Sequence, residues 1–303
     1  MQQSSRLSIV IGSTLVMVLS SSIQLARLEA AQAASPAKRK QMFEVASKDG
    51  TRIAVECAGT GPTLLFVHGG VGDHTRWTPM FPLLTSTFTA CAMDRRGHGA
   101  SSDSREYSLS QEAEDVAAVV NSRRGPVFVY GHSYGGVAAL EATFLTNRVG
   151  KLMLYEPPLH EPADNSLAMA ARFEAMVGGG ALEQALITFQ TEVVRQSPEE
   201  IARMKARPTW GGLVASMAML PRQMRELAAY RFDASRMRLL TMPTLLMIGE
   251  ETASPYAQQS IRALQQSLPK PTLVVLERQE HNAMDGGRDL LANAIIKFAA
   301  VRR

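Results

Sequence analysis

Cysteine is nearly missing from this chain. Cys57 and Cys91 are the only two among 303 residues, which excludes a disulfide-stapled scaffold and any zinc site built from several thiolates. In an exported protein two thiols can pair; two buried free thiols are the equal alternative. An excess of one charge is missing too. The formal net charge is +4, and part of it sits at the ends, in Lys38, Arg39, Lys40, Arg302 and Arg303. No run of Lys and Arg is interleaved with aromatics, so nucleic acid is not an expected partner. There is no internal repeat and no low-complexity tract, and a charged fraction of 20% argues against disorder. What is present is a hydrophobic content of 46%, enough for one large core with an appended subdomain.

The first forty residues stand apart. Arg6 is followed by LSIVIGSTLVMVLSSSIQLA, a stretch without a charge, and then by RLEAAQAASPAKRK. A positive start, an apolar stretch and a small-residue site at Ala31, Gln32 and Ala33 read as a secretory signal peptide over residues 1–33. The stretch is just long enough to span a bilayer, so an uncleaved anchor is the alternative. A linker at 34–41 follows. Either reading places the working part outside the cytoplasm, periplasmic or secreted, with membrane contact only if the N-terminal segment is retained.

Beyond Lys40, short apolar runs alternate with segments of helical period. The strand candidates are MFEVAS, RIAVEC, TLLFVH, FTACAMD, PVFVYG, KLMLYE, TLLMIG and TLVVLE. The first two, joined at Asp49-Gly50, read as a hairpin; the later ones, separated by helices, read as parallel strands with crossovers. Ser110 to Asn121 is the clearest helix, with Ala113, Val116, Ala117 and Val120 on one face and Ser108 with Gln111 as a capping box. A last helix begins near Arg288. Residues 157–238 break the alternation: they hold helical segments, no strand, and the methionines Met169, Met176, Met204, Met217, Met219 and Met224. An insertion of this kind, after a strand's C-terminal end, lies over the sheet edge where open α/β sheets bind ligands. The core is then 42–156 with 239–303. Methionine is an adaptable lining for a pocket, although such a stripe also serves plain helix packing.

Gly131-His132-Ser133-Tyr134-Gly135 carries the chemistry. An apolar strand leads into it and a small-residue helix, from Gly136 to Ala142, leads out. A strand-to-helix turn that sharp strains its middle residue and needs small neighbours on both sides. Ser133 then projects its hydroxyl at the positive end of a helix. A serine hydroxyl needs a base. Of the six histidines, His68, His98 and His132 belong to tight turns, and His74 and His160 to solvated loops. His281 follows the last strand, where a loop reaches back across the sheet edge, and is the expected base. The developing oxyanion needs two N–H donors: Tyr134, directly after the nucleophile, and Gly70, after an earlier strand.

From about Phe43 to Ala300 the chain resembles the α/β-hydrolase fold superfamily. FVHGG, MDRRGHGAS, GHSYGG, LMLYEPP and EHNAM occur in that family's order and at its intervals. The resemblance implies a mostly parallel eight-stranded sheet with helices on both faces and a helical cap after the sixth strand. It also implies that the strand bearing Cys57 neighbours the one bearing Cys91, which keeps a disulfide open. A serine nucleophile separates the chain from the branches that use aspartate, the haloalkane dehalogenases and epoxide hydrolases. The family's acid usually follows the seventh strand; here that place holds Thr252, with Glu250 and Glu251 just before it. A minority of the family places the acid after the sixth strand, where this chain has Glu156. As a residue preceding proline, Glu156 is expected to be extended, and a carboxylate ending an apolar run is costly unless paired. Glu156 is the first choice, with Glu250 or Glu251 as alternatives. The expected function is a serine hydrolase cleaving a small or medium carboxylic ester or a related acyl bond, with a small-molecule acyl substrate and no metal or organic cofactor. The alternatives are a non-catalytic binding module on the same fold, and a cofactor-free perhydrolase or C–C bond hydrolase.

Overall fold

The computed structural model describes residues 40–160 and 162–301; the signal or anchor segment lies outside them. Eight strands form one sheet: β1 (Gln41–Ala46), β2 (Arg52–Ala58), β3 (Thr63–Val67), β4 (Thr89–Met93), β5 (Val127–His132), β6 (Val149–Tyr155), β7 (Thr244–Gly249) and β8 (Pro271–Leu276). Their order is β1-β2-β4-β3-β5-β6-β7-β8. β1 pairs antiparallel with β2, and β2 antiparallel with β4; every later pairing is parallel. All eight apolar runs of the sequence are strands. The central ones read as continuous hydrophobic stretches because both faces are covered. Leu65, Val67 and Val129 belong to the core on one face, while Leu64, Phe66 and Tyr130 belong to the core on the other.

The first face is covered by α1 (Leu109–Ser122) and α2 (Tyr134–Ala142). The Ser108 side chain caps α1 by accepting from the Gln111 amide, which satisfies one of the helix's orphan donors. Between β6 and β7 come α3 (Ala163–Gly178), α4 (Leu182–Thr188), α5 (Pro198–Lys205), α6 (Trp210–Ser216) and α7 (Leu220–Ala229). This is the helical insertion. After β7, Ser254 and Pro255 open α8 (Pro255–Ser267) as N-cap and first residue, and α9 (Arg288–Ala300) closes the chain on the second face. Among the described residues, no helix is long and apolar enough to cross a membrane.

Two features tie the N-terminal half together. Cys57 lies directly opposite Cys91 in the β2–β4 pairing, and the two form a disulfide with Cα atoms 4.1 Å apart. The loop after β4 is held by buried ion pairs. Arg96 gives two 2.7 Å bonds to the Asp115 carboxylate, and Arg95 reaches Glu112 at 3.2 Å. His74, expected in a solvated loop, is instead half-buried against this loop, with Nδ1 2.8 Å from Asp94. The Asp94 carboxylate anchors the segment by also accepting from the His74 and Ala100 amides.

Candidate active site

Ser133 stands between β5 and α2 with φ 51° and ψ −129°, a left-handed φ that a side-chain-bearing residue adopts only under constraint. The constraint is visible on both sides. A Cβ on Gly131 would lie 2.6 Å from the Gly136 Cα, and one on Gly135 would lie 2.1 Å from the His68 carbonyl oxygen. Only glycine fits where backbones meet so closely. The Ser133 amide donates to the Tyr155 carbonyl at 2.9 Å, which pins the elbow to β6. Tyr134 opens α2, so its amide has no partner within the helix, and it lines the same cavity as Ser133 and Gly70.

Glu156 is the carboxylate that meets His281. Its Oε2 accepts from the His281 Nδ1–H at 2.6 Å, while Oε1 accepts from the Gly249 amide at 2.8 Å and the Thr252 hydroxyl at 2.6 Å. The side chain is fully buried, so these three donors are what makes a charge tolerable there. The backbone differs from the sequence expectation: Glu156 is not extended but has φ 48°. The pre-proline preference yields because the Glu156 amide donates to the Met247 carbonyl of β7 and its carboxylate reaches the end of the same strand. Glu250 and Glu251 are exposed. Glu250 spends its carboxylate on the Arg278 amide at 2.9 Å. With Nδ1–H committed to Glu156, the lone pair of His281 is on Nε2, and His281 lines two cavities together with Ser133.

Residues that sequence reasoning passed over hold the histidine loop. His132 Nε2–H donates to the His281 carbonyl at 3.0 Å, and the Tyr155 hydroxyl donates to the Glu280 carbonyl. Burial holds the His132 imidazole well below its ordinary value, and His281 beside it adds to the effect; it is a neutral donor. His68 is fixed similarly, with Nδ1–H on the Gly69 carbonyl and Nε2 accepting from the Arg95 amide. Thr252 had a signal in its place in the chain, where a carboxylate is usual, but only its hydroxyl's partner shows what it does.

The larger cavity has an empty volume of about 640 Å³. Its floor is Gly70, Ser133, Tyr134 and His281, and Val193, Val194, Leu220, Met224 and Leu227 of the insertion form much of its roof. Of the methionines in the insertion, Met224 lines this cavity and Met204 a smaller one beside it; Met217 is packed into the core. No described residue at the site forms a metal-ligand cluster: the one group of three with suitable spacing, Asp73, His74 and Asp94, lies elsewhere.

A mostly parallel eight-stranded sheet, an elbow serine at the end of its fifth strand and a helical insertion above it define an α/β-hydrolase architecture. The chain belongs to the alpha/beta hydrolase family, whose model matches residues 64–294. An alpha/beta hydrolase from Sphaerobacter thermophilus has a similar structure, with a TM-score of 0.73 and 30% identity over 85% of this chain and 100% of that one. The 2-(acetamidomethylene)succinate hydrolase of Mesorhizobium japonicum is 27% identical over 258 residues, 79% of this chain and 88% of its own length. The probable oxidoreductase EphD of Mycobacterium tuberculosis is 37% identical over 113 residues, which are 35% of this chain and 19% of that protein.

Proposed function

We propose that this chain is a serine hydrolase that cleaves a small or medium carboxylic ester, or a related acyl bond, through an acyl-enzyme. The observation that carries the reading is the 2.6 Å bond between Glu156 and His281 Nδ1, beside a serine held in a strained elbow on the same cavity. Ser133 Oγ attacks the acyl carbon as His281 Nε2 takes its proton. The oxyanion forms against the Gly70 and Tyr134 amides. The C–O bond to the leaving group then breaks, and His281 returns the proton to the departing alkoxide. Water attacks the acyl-enzyme with the same histidine as base, releasing the acid and restoring Ser133. Glu156 stays ionised throughout and keeps Nδ1 protonated.

A non-catalytic binding module would fit a site that lacks its acid, and Thr252 stands in the acid's usual place. With the Thr252 hydroxyl bonded to Glu156, that residue no longer favours it. An amide is the related acyl bond to test beside esters, because the similarity to an enzyme named for an acetamido compound favours it. The partner is a small-molecule acyl substrate, and no cofactor enters the reaction. The setting is outside the cytoplasm, which the Cys57–Cys91 disulfide supports.

The test is treatment of the protein with a fluorophosphonate, with the adduct mapped by mass spectrometry and Ser133→Ala as control. An adduct on Ser133 is expected; a folded protein that forms none refutes the hydrolase reading. Glu156→Gln should lower kcat by on the order of 10³- to 10⁴-fold, because the histidine loses its tautomer and its counter-charge. Turnover within a few-fold of the wild type would remove Glu156 from the mechanism.

A further inference from the structure

Gln223 lies on α7 of the insertion, is 1% exposed and lines the larger cavity beside Gly70 and Ser133. Its two amide ends are told apart by a chain of hydrogen bonds that begins in the core. His98 Nδ1 lies 3.0 Å from the Gly72 carbonyl oxygen, which only accepts, so Nδ1 bears the proton. Burial, and then the Arg95 charge, hold this imidazole well below its ordinary value, so Nε2 is a bare acceptor. Arg95, a donor at every nitrogen, confirms that polarity with a 3.0 Å contact to Nε2. The Gln223 Nε2 group lies 2.9 Å from the same atom and must therefore be the amide's NH₂ end. The carbonyl end, Oε1, is turned the other way. It is buried and has no hydrogen-bond partner, and it stands 3.1 Å from the point a Cβ on Gly70 would occupy. Gly70 is one of the two residues assigned to the oxyanion.

A buried carbonyl oxygen without a donor is costly, and the cost is recovered when a ligand brings one. We propose that Gln223 is a specificity residue: its Oε1 receives a hydroxyl or N–H donor of the substrate, on the acyl or the alcohol side and one to three atoms removed from the reacting carbonyl. The substrate class is thereby narrowed from plain alkyl esters to acyl compounds bearing such a donor. This rests on the hydrolase reading of Ser133 and deepens it. Sites of this kind discriminate strongly, because an analogue that lacks the donor leaves the acceptor unpaired while still desolvating it.

The experiment compares three matched pairs in which a donor is replaced by a carbon group of similar shape. The pairs are ethyl 2-hydroxybutanoate with ethyl 2-methylbutanoate, N-acetylglycine ethyl ester with ethyl 4-oxopentanoate, and 2-hydroxyethyl butanoate with propyl butanoate. For each pair the ratio of kcat/KM is divided by the ratio of alkaline hydrolysis rates, which cancels intrinsic ester reactivity. The corrected ratio should favour the donor in at least one pair by about ten-fold or more. In Gln223→Met, which keeps the length and removes the acceptor, that ratio should fall to near one. A wild-type ratio near one in every pair overturns the proposal even if the variant fails to fold. Corrected ratios within two-fold of one in all three pairs, as when a water serves the acceptor, overturn the proposal. So does a donor preference that Gln223→Met keeps, and so does a lack of turnover of all six esters. Fluorophosphonate labelling of the same preparation separates the two levels: an adduct on Ser133 leaves the hydrolase reading standing, and its absence removes both.

Discussion

The Thr252 hydroxyl and the Gly249 amide converge on one oxygen of Glu156, leaving the other for His281. A threonine thus supports the carboxylate that meets His281. Thr252→Val keeps the shape and removes one of three donors to a buried carboxylate. Hydrogen bonds to charged groups contribute about 1.5–3 kcal/mol, so kcat should fall by roughly ten-fold or more while KM changes little. Steady-state kinetics with a simple ester would check this, and an unchanged kcat would mean that the Gly249 amide suffices. Glu156 was legible in the sequence as a costly charge at the end of an apolar run. Its φ of 48° was not, because local pre-proline preference says nothing of the β7 carbonyl that captures its amide. The role of Thr252 was illegible for a related reason. A hydroxyl's partner is set by how the ends of two neighbouring strands meet, and no local pattern encodes that distance.

Among elements, the strands were the most legible, since buried parallel strands are continuous apolar runs bounded by turns. The insertion was legible as helical, but not the path of its helices, which is decided by side-chain packing between α3 and α7 and above the cavity. The pairing of β2 with β4 gives the clearest prediction at this scale. The disulfide joins residues 34 apart in sequence, and a loop of that size restricts the unfolded chain enough to stabilise the fold by about 2–4 kcal/mol. Urea unfolding with and without reductant should show a loss of that order. Alkylation of the denatured, unreduced protein should label no thiol; two labelled cysteines would contradict the cross-link.

The molecule as a whole encloses three neutral imidazoles. Burial is the largest cause that holds His68, His98 and His132 each well below the ordinary histidine value. In the unfolded chain they titrate near 6.5, so below that pH the unfolded state binds up to three protons that the native state refuses. Stability is therefore full above about pH 6.5 and falls as pH drops, by up to about 4 kcal/mol per pH unit. His74 has the opposite sign. Its bond to Asp94 raises it, so its contribution is present below the unfolded value and is lost as pH rises through the folded one. Asp49 resists acid for longer: burial opposes its ionisation, but the Thr51 amide and Arg96 outweigh it and hold the carboxyl at about 2. Urea midpoints measured from pH 8 to 5 should be level at first and then decline, and a flat profile to pH 5 would refute the account. The left-handed φ of Ser133 gives the intact molecule one more property. Holding a side-chain-bearing residue in that region costs about 1–3 kcal/mol, whereas glycine enters it freely and loses only about 0.5–1 kcal/mol through its more flexible unfolded chain. Ser133→Gly should therefore melt a few degrees higher than the wild type in calorimetry while forming no fluorophosphonate adduct, so that the inert protein outlasts the reactive one on heating.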